Sequence, residues 1–342
     1  MSTSKISLNK SALKLFNKLC DDSDKYGVTV EQTQAGATLV DAGLQAEGGF
    51  LAGEMITKIC LAGYGKARIT PIQYGDIVLP SVFVSTDHPA LSLLGSQFAG
   101  WQIKGDDFSA IASGPARALA LKPKDLYEKL AYKEESDVAV LVLETGKKPS
   151  DAVIQQVAEK CRVLPKNVYA VMFSTTSVAG ATQVSGRIVE TGLHKLERLG
   201  LDPLLVKHAW GYAPIVPIHP DSGEAMGRTN DAILYGGVTN YTVSFENEAK
   251  LEGIVNQAPS GSSKMLQEAR RLAQQSPRFM DIFKEAGFDF YKVDTNIFAP
   301  AIVSINNVKT GKTFTSGSLD VDTLKRSLGI SKPSITHVTT NP

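Results

Sequence analysis

Cysteine is scarce in this chain: Cys20, Cys60 and Cys161 are the only three in 342 residues, and they lie far apart. No C-x-x-C occurs, which excludes a zinc knuckle and a thioredoxin-like redox motif. Isolated thiols fit a reducing compartment better than a disulfide scaffold. An excess of either charge is also missing, with 36 Lys and Arg against 35 Asp and Glu. A nucleic-acid footprint needs a clustered basic surplus, and KKPSD and EARR are too short and too mixed to supply one. No apolar run approaches the ~18 residues that would suggest a membrane span. The opening MSTSKISLNKSALKLF lacks the apolar core and A-x-A site of a signal peptide. The expectation is therefore a cytoplasmic protein. Internal repeats, low-complexity blocks and coiled-coil heptads are absent as well.

Several familiar motifs are incomplete. Gly63-Tyr64-Gly65-Lys66 lacks the third glycine of a dinucleotide fingerprint and reads as a turn. Gly311-Lys312-Thr313 imitates a Walker tail, but position 306 is Asn, so it reads as a hairpin turn. His208 and His219 have no metal-ligand spacing, and H-E-x-x-H does not occur. His88, before Pro89, reads as a turn or wall residue.

What remains is an ordinary globular composition, 43% hydrophobic and 21% charged, in a chain long enough to split into two lobes. The pattern is mixed α/β. Apolar spacing predicts an opening helix over 7–26, with Ser7 or Asn9 as N-cap, and another helix over 50–61. Strands are expected over 28–32, 37–41, 67–72, 78–85, 138–143, 168–173, 238–245, 289–294 and 301–308. Further helices are expected over 150–160, 204–208, 264–275 and 277–286. Segment 220–227 reads as a loop, and 210–217 as an extended segment bracketed by prolines. The charged segment 133–137 is the best boundary, giving a first lobe over 1–132, a second over 133–328 and a polar tail over 329–342. This division leaves room for segments to exchange between the lobes.

The stretch around which the rest is organised is 177–200. Its latter half is an amphipathic helix, with Ile188, Val189, Leu193, Leu196 and Leu199 on one side and Arg187, Glu190 and His194 on the other. Gly200 is a candidate C-cap. Its first half is small residues, which admit a close backbone or a ligand. Pattern alone favours an exposed i, i+3 ion pair for Arg187 and Glu190; the competing reading is a catalytic pair at a pocket rim. Two glycine-bounded clusters, with Ser96 and Gln97 in one and Ser113, Gly114, Pro115 and Arg117 in the other, stand as candidate ligand contacts. The cluster at 113–117 has the pattern of a turn feeding a helix, either an anion or carbonyl site or a plain turn. Asn230 and Asp231 are either a capping device or part of a ligand-reading loop.

The segments LGSQFAGWQIK, ASGPARALALKP, QVSGRIVETGLHKL, AMGRTNDAILYGG, and DFYKVD…FAPA followed by KTGKTF occur in that order. Together they resemble the methenyltetrahydromethanopterin cyclohydrolase family over roughly residues 30 to 320. The resemblance implies two mixed αβ lobes with a pterin pocket between them, assembly as homotrimers, and reversible hydrolysis of 5,10-methenyltetrahydromethanopterin to the 5-formyl form without metal or redox cofactor. It places this chemistry in one-carbon metabolism, in methanogenesis or formaldehyde oxidation. It assigns the R-x-x-E of the family's motif to Arg187 and Glu190, with Glu190 as acid and base and Arg187 keeping it ionised and oriented. It makes Ser96, Gln97, Ser113, Gly114, Pro115, Arg117, Asn230 and Asp231 candidates for holding the pterin. Position 98 is Phe where some archaeal members carry Lys, so a basic contact is missing there. The alternatives are the same reaction on a tetrahydrofolate carrier, a pterin-binding protein without turnover, and a zinc amidohydrolase, against which the missing ligand spacing argues.

Overall fold

The computed structural model describes residues 6–289 and 292–330. Two six-stranded mixed sheets organise it. The first takes strands β1 (Thr29–Gln32), β2 (Thr38–Asp41), β5 (Trp101–Lys104), β6 (Ser109–Ser113), β7 (Ala139–Thr145) and β8 (Val168–Phe173), in the order β1-β2-β8-β7-β6-β5. The other takes β3 (Gly65–Tyr74), β4 (Ile77–Thr86), β9 (Val206–Pro214), β10 (Val238–Val243), β11 (Ile302–Asn307) and β12 (Thr313–Gly317), in the order β12-β11-β10-β9-β4-β3. Each sheet draws strands from both sides of residue 133.

The apolar run of β7 shows how the layers form. Successive side chains of a strand point to opposite faces. Val140 and Val142 join the larger core with Val40, Val171 and Phe173. Leu141 and Leu143 join a smaller one on the other face, with Leu39, Met172 and helix Asp151–Cys161. A strand apolar at every position is thus buried on both faces. The larger core is continuous with the inner face of the β3–β12 sheet, including Val82, Val84, Tyr241, Val303 and Ile305.

Helices Phe50–Cys60 and Val178–Ser185 lie in this layer. Their close approach explains the small residues of 178–186. A Cβ on Gly53 would stand 2.4 Å from the Thr182 Cβ, and one on Gly186 would stand 2.6 Å from the Thr57 Oγ1. Gly180 meets the Ser174 carbonyl oxygen, 2.0 Å from a Cβ placed there. It is backbone and neighbouring helix that these positions admit.

Most expected elements are present within a residue or two, including helix Leu8–Asp21, whose N-cap Ser7 accepts from the Lys10 amide. Three expectations fail. Residues 204–208 are no α-helix: a short turn of 3₁₀ helix, Pro203–Leu205, leads directly into β9. The loop expected over 220–227 is largely the start of helix Ser222–Gly236, because Asp221 caps it by accepting from the Glu224 amide. Asn230 and Asp231 therefore sit inside that helix, neither capping it nor in a loop. The strand expected over 289–294 is not found in its described residues, Phe290 and Tyr291 lying outside them; so does the tail from 331 onward. No described helix is long and apolar enough to cross a membrane.

Candidate active site

Helix Val178–Ser185 stops, and after two intervening residues a new helix, Ile188–Arg198, starts. A break of this kind leaves carbonyls without helical partners. The Gln97 Nε2 donates to the Gly186 carbonyl at 3.0 Å, and the Ser185 hydroxyl donates to the Pro214 carbonyl at 2.7 Å. The break places Arg187 at the entry of the new helix and Glu190 in its first turn, where the helix dipole favours a negative charge. The Tyr241 hydroxyl donates to the Val189 carbonyl at 2.8 Å and so ties this turn to β10.

Arg187 Nη2 donates to Glu190 Oε2 at 2.6 Å. The two side chains are only 13% and 4% exposed, so the solvated-face reading is overturned. The apolar stripe faces the core as the periodicity indicated, but the opposite side here lines a cavity rather than the outer surface. That cavity, of about 340 Å³, is lined mainly by apolar groups. Arg187, Glu190 and Asn230 line it, with Phe98, Glu144, His194, Thr229 and Phe298 among the others.

Burial dominates the electrostatics of the site. Burial pushes the Glu190 carboxyl above the ordinary carboxylate range, against the pull of Arg187 and of Arg117. Desolvation outweighs the ion pair, while Arg187 still pulls toward the ionised form. His194 is half-buried, with its ring 4.5 Å from that of Phe98, and burial lowers its pKa to about 4. It is a neutral wall group at pH 7.

The remaining candidates divide sharply. Asn230 lines the cavity, its Nδ2 donating to the Met226 carbonyl at 2.9 Å. Asp231, on the same helix, is buried elsewhere: it accepts from the Phe279 amide at 2.8 Å and the Ser327 hydroxyl at 2.5 Å, and burial raises its pKa to about 7. Ser96, Gln97, Ser113, Gly114, Pro115 and Arg117 are not cavity-lining residues; they form a scaffold behind the wall. Residues Ala90–Gln97 form a wide π-helix whose last carbonyls need donors. Arg117 Nη1 donates to the Leu94 and Ser96 carbonyls, both at 3.2 Å, Tyr127 to Gly95 at 2.9 Å, and the Gly114 amide to Ser96 at 2.9 Å. The Ser96 hydroxyl donates to the Cys60 carbonyl, Ser113 contacts the Cys60 Sγ, and the Pro115 carbonyl accepts from Asn9. Gly114 has φ +95°, which suits glycine. The helix after Pro115, Ala116–Ala120, has five residues and does not reach the cavity. Arg117 lies within 5.1 Å of the Phe98 ring centroid, so this scaffold supports one wall.

Glu144 is a cavity residue that no sequence motif marks. It closes the apolar run of β7 at the carboxyl end of a strand parallel to β8, where α/β sheets commonly put their sites. A charge ending a run of apolar positions is the available signal. Among the described residues no group of three or more His, Cys, Asp and Glu side chains is arranged to hold a metal ion.

Known proteins match the chain along nearly its whole length. The family model described as Cyclohydrolase (MCH) matches residues 7–328. The methenyltetrahydromethanopterin cyclohydrolase of Methanococcoides burtonii is 41% identical over 325 residues, covering 95% of this chain and 99% of that protein. The proteins of the same name from Methanothermobacter marburgensis and Methanocaldococcus jannaschii are each 42% identical, over 330 and 327 residues, covering 95% of this chain and 100% and 98% of theirs. This chain belongs to the methenyltetrahydromethanopterin cyclohydrolase family.

Proposed function

We propose that the protein is a hydrolase of carbon–nitrogen bonds that interconverts 5,10-methenyltetrahydromethanopterin and 5-formyltetrahydromethanopterin. Glu190 is its acid and base, and Arg187 its orienting charge. The observation that carries this reading is the buried Arg187–Glu190 pair opening onto an apolar cavity. Family membership supports the choice of carrier.

The chemistry suits these groups. The methenyl carbon lies between N5 and N10 as a cationic amidinium, already open to attack. Glu190 takes one proton from water as the oxygen bonds to that carbon, giving a neutral carbinolamine. The C–N10 bond then breaks, N10 receives the proton held by Glu190, and the carbinol proton leaves as the formyl C=O forms. One water is consumed and one proton released. A base whose pKa is raised by burial is stronger than an ordinary carboxylate, and positioned acid–base transfer contributes about 10²–10⁴ in rate. The tilted pair of Phe98 and His194 rings offers an aromatic wall for a ring system. Homotrimeric assembly and a cytoplasmic setting in one-carbon metabolism belong to the same reading.

The test follows the methenyl chromophore spectrophotometrically with chelator-treated wild type and Glu190→Gln. The amide keeps the size of the carboxylate and a contact with Arg187, so folding is retained. Loss of two or more orders of magnitude in kcat is expected. Equal rates would sink the assignment of Glu190. Absence of turnover by wild type would sink the carrier, and a tetrahydrofolate carrier or binding without turnover would then be tested.

A further inference from the structure

Two carboxylates line the cavity. Glu190 is paired with Arg187. The Glu144 carboxylate has no hydrogen bond or ion pair with any described residue; Arg187 acts on it only across space. Its position follows from strand alternation. Val140 and Val142 fill the core between the sheets, and Glu144 continues their face past the end of that core. Beside it on the same face is Ile111 of β6, its register partner and another cavity residue. Glu144, Ile111 and Met226 also line a neighbouring cavity of about 520 Å³, so Glu144 stands where the two adjoin.

A half-buried carboxylate on an apolar wall is costly unless donors reach it. The other carboxylate of the candidate set, Asp231, already uses both oxygens on Phe279 and Ser327. Glu144 has both oxygens available. The pyrimidine edge of a pterin presents N3–H and the 2-amino group side by side, a donor pair that matches the two oxygens of one carboxylate. Two-point pairing of this kind is strong and directional. We propose that Glu144 accepts both donors and thereby fixes which edge of the pterin faces Arg187 and Glu190. This rests on the pterin reading above and adds a specificity-determining residue to it.

The experiment uses the full chain and two ring-only probes, 6-methylpterin and 6-methyllumazine. In the lumazine, a carbonyl acceptor replaces the 2-amino donor. Fluorescence titration of wild type should show a preference for the pterin of about tenfold or more. Glu144→Gln, which offers one acceptor and one donor, should lose that preference, while Glu144→Asp retains its order. On the full carrier, Glu144→Gln should raise KM for the methenyl and formyl forms by the same factor, about tenfold, with kcat within about threefold. An unchanged preference together with an unchanged KM overturns the proposal. So does weakened binding of the cationic methenyl form alone, which would make Glu144 a counter-charge. Thermal denaturation of each variant separates lost recognition from lost folding, and the Asp variant keeps the test available if the Gln variant unfolds. Pterin preference without hydrolysis by wild type would leave Glu144 assigned and remove the reaction. Hydrolysis with Glu144→Gln indistinguishable from wild type would do the reverse.

Discussion

Replacing Arg187 by Met tests the electrostatics of the site directly. Methionine fills much of the arginine stem's volume and removes only the charge and its hydrogen bonds. Glu190 then stays buried with Arg117 as the remaining cation acting on it. Two unit charges about 4 Å apart interact by about 4 kcal/mol at an effective dielectric of about 20, an upper limit of roughly 3 pKa units. Relaxation and water entry reduce this, so a rise of about 1–3 units is expected. The sign is unambiguous: Glu190 must be ionised to act as base, so kcat/KM falls as pH drops through its pKa. The acid limb already lies above the ordinary carboxylate range in wild type, and the variant moves it to higher pH. At pH values on the acid limb of both proteins, activity therefore falls by about ten- to a thousandfold, and the difference closes at alkaline pH. The assay is the methenyl absorbance change across the pH range, at constant ionic strength. His194, with its pKa lowered to about 4, contributes no limb near neutrality. Asp231, raised to about 7, does titrate there, so Asp231→Asn is the control. An acid limb that stays in place, or moves down, would refute the account of Arg187 as the charge acting on Glu190.

Asp231 also makes stability depend on pH. Its folded pKa is raised above the ordinary value of 3.8, so the native state binds the extra proton, and its contribution is full below about pH 4 and lost as pH rises through about 7. Melting temperatures between pH 4 and 8 should show a decline, of at most about 4 kcal/mol, that is flattened in Asp231→Asn. Gln97→Leu strands the Gly186 carbonyl in the interior at a cost of about 1–3 kcal/mol. It should lower kcat more than it raises KM, because the helix break that aims Arg187 loosens. Gly53→Val drives a side chain into Thr182 and the Ala179 carbonyl, and denaturant unfolding should show a loss of about 1–3 kcal/mol or more. Phe98→Ala removes the ring packed against His194 and should raise KM several-fold with little change in the acid limb.

Where local pattern decides structure, the sequence is readable. Helix Leu8–Asp21, with its serine cap, and the unbroken apolar runs of β7 and β8 form through interactions within or beside each element. Helix Ser222–Gly236 escapes a reading by pattern although its signal is present. Asp221 and Glu224 have the spacing of a capping box, but Gly223 and Gly227 give the segment the character of a loop. Gly227 is there for packing: a Cβ would stand 2.9 Å from that of Met280. Residues 204–208 mislead because β9 is chosen by its partners, β4 and β10, a non-local cause that periodicity does not register.

The site is legible as chemistry but only partly as geometry. Arg187 and Glu190 lie one helical turn apart, so their meeting is foreseeable; their burial is not, because it depends on a cavity closed by β7, helix Ser222–Gly236 and the segment around Phe98. Gln97, Ser113 and Arg117 carry groups that suit a ligand equally well, yet the π-helix at Ala90–Gln97 and the break at Gly186 leave buried carbonyls that take up several of those donors. Polar side chains in a motif can thus be required by the backbone that presents the site rather than by the substrate. The converse holds for Glu144. No motif marks it, yet its carboxylate faces the cavity without a partner among the described residues, and an acceptor in that state is where a ligand's donors contribute most to binding.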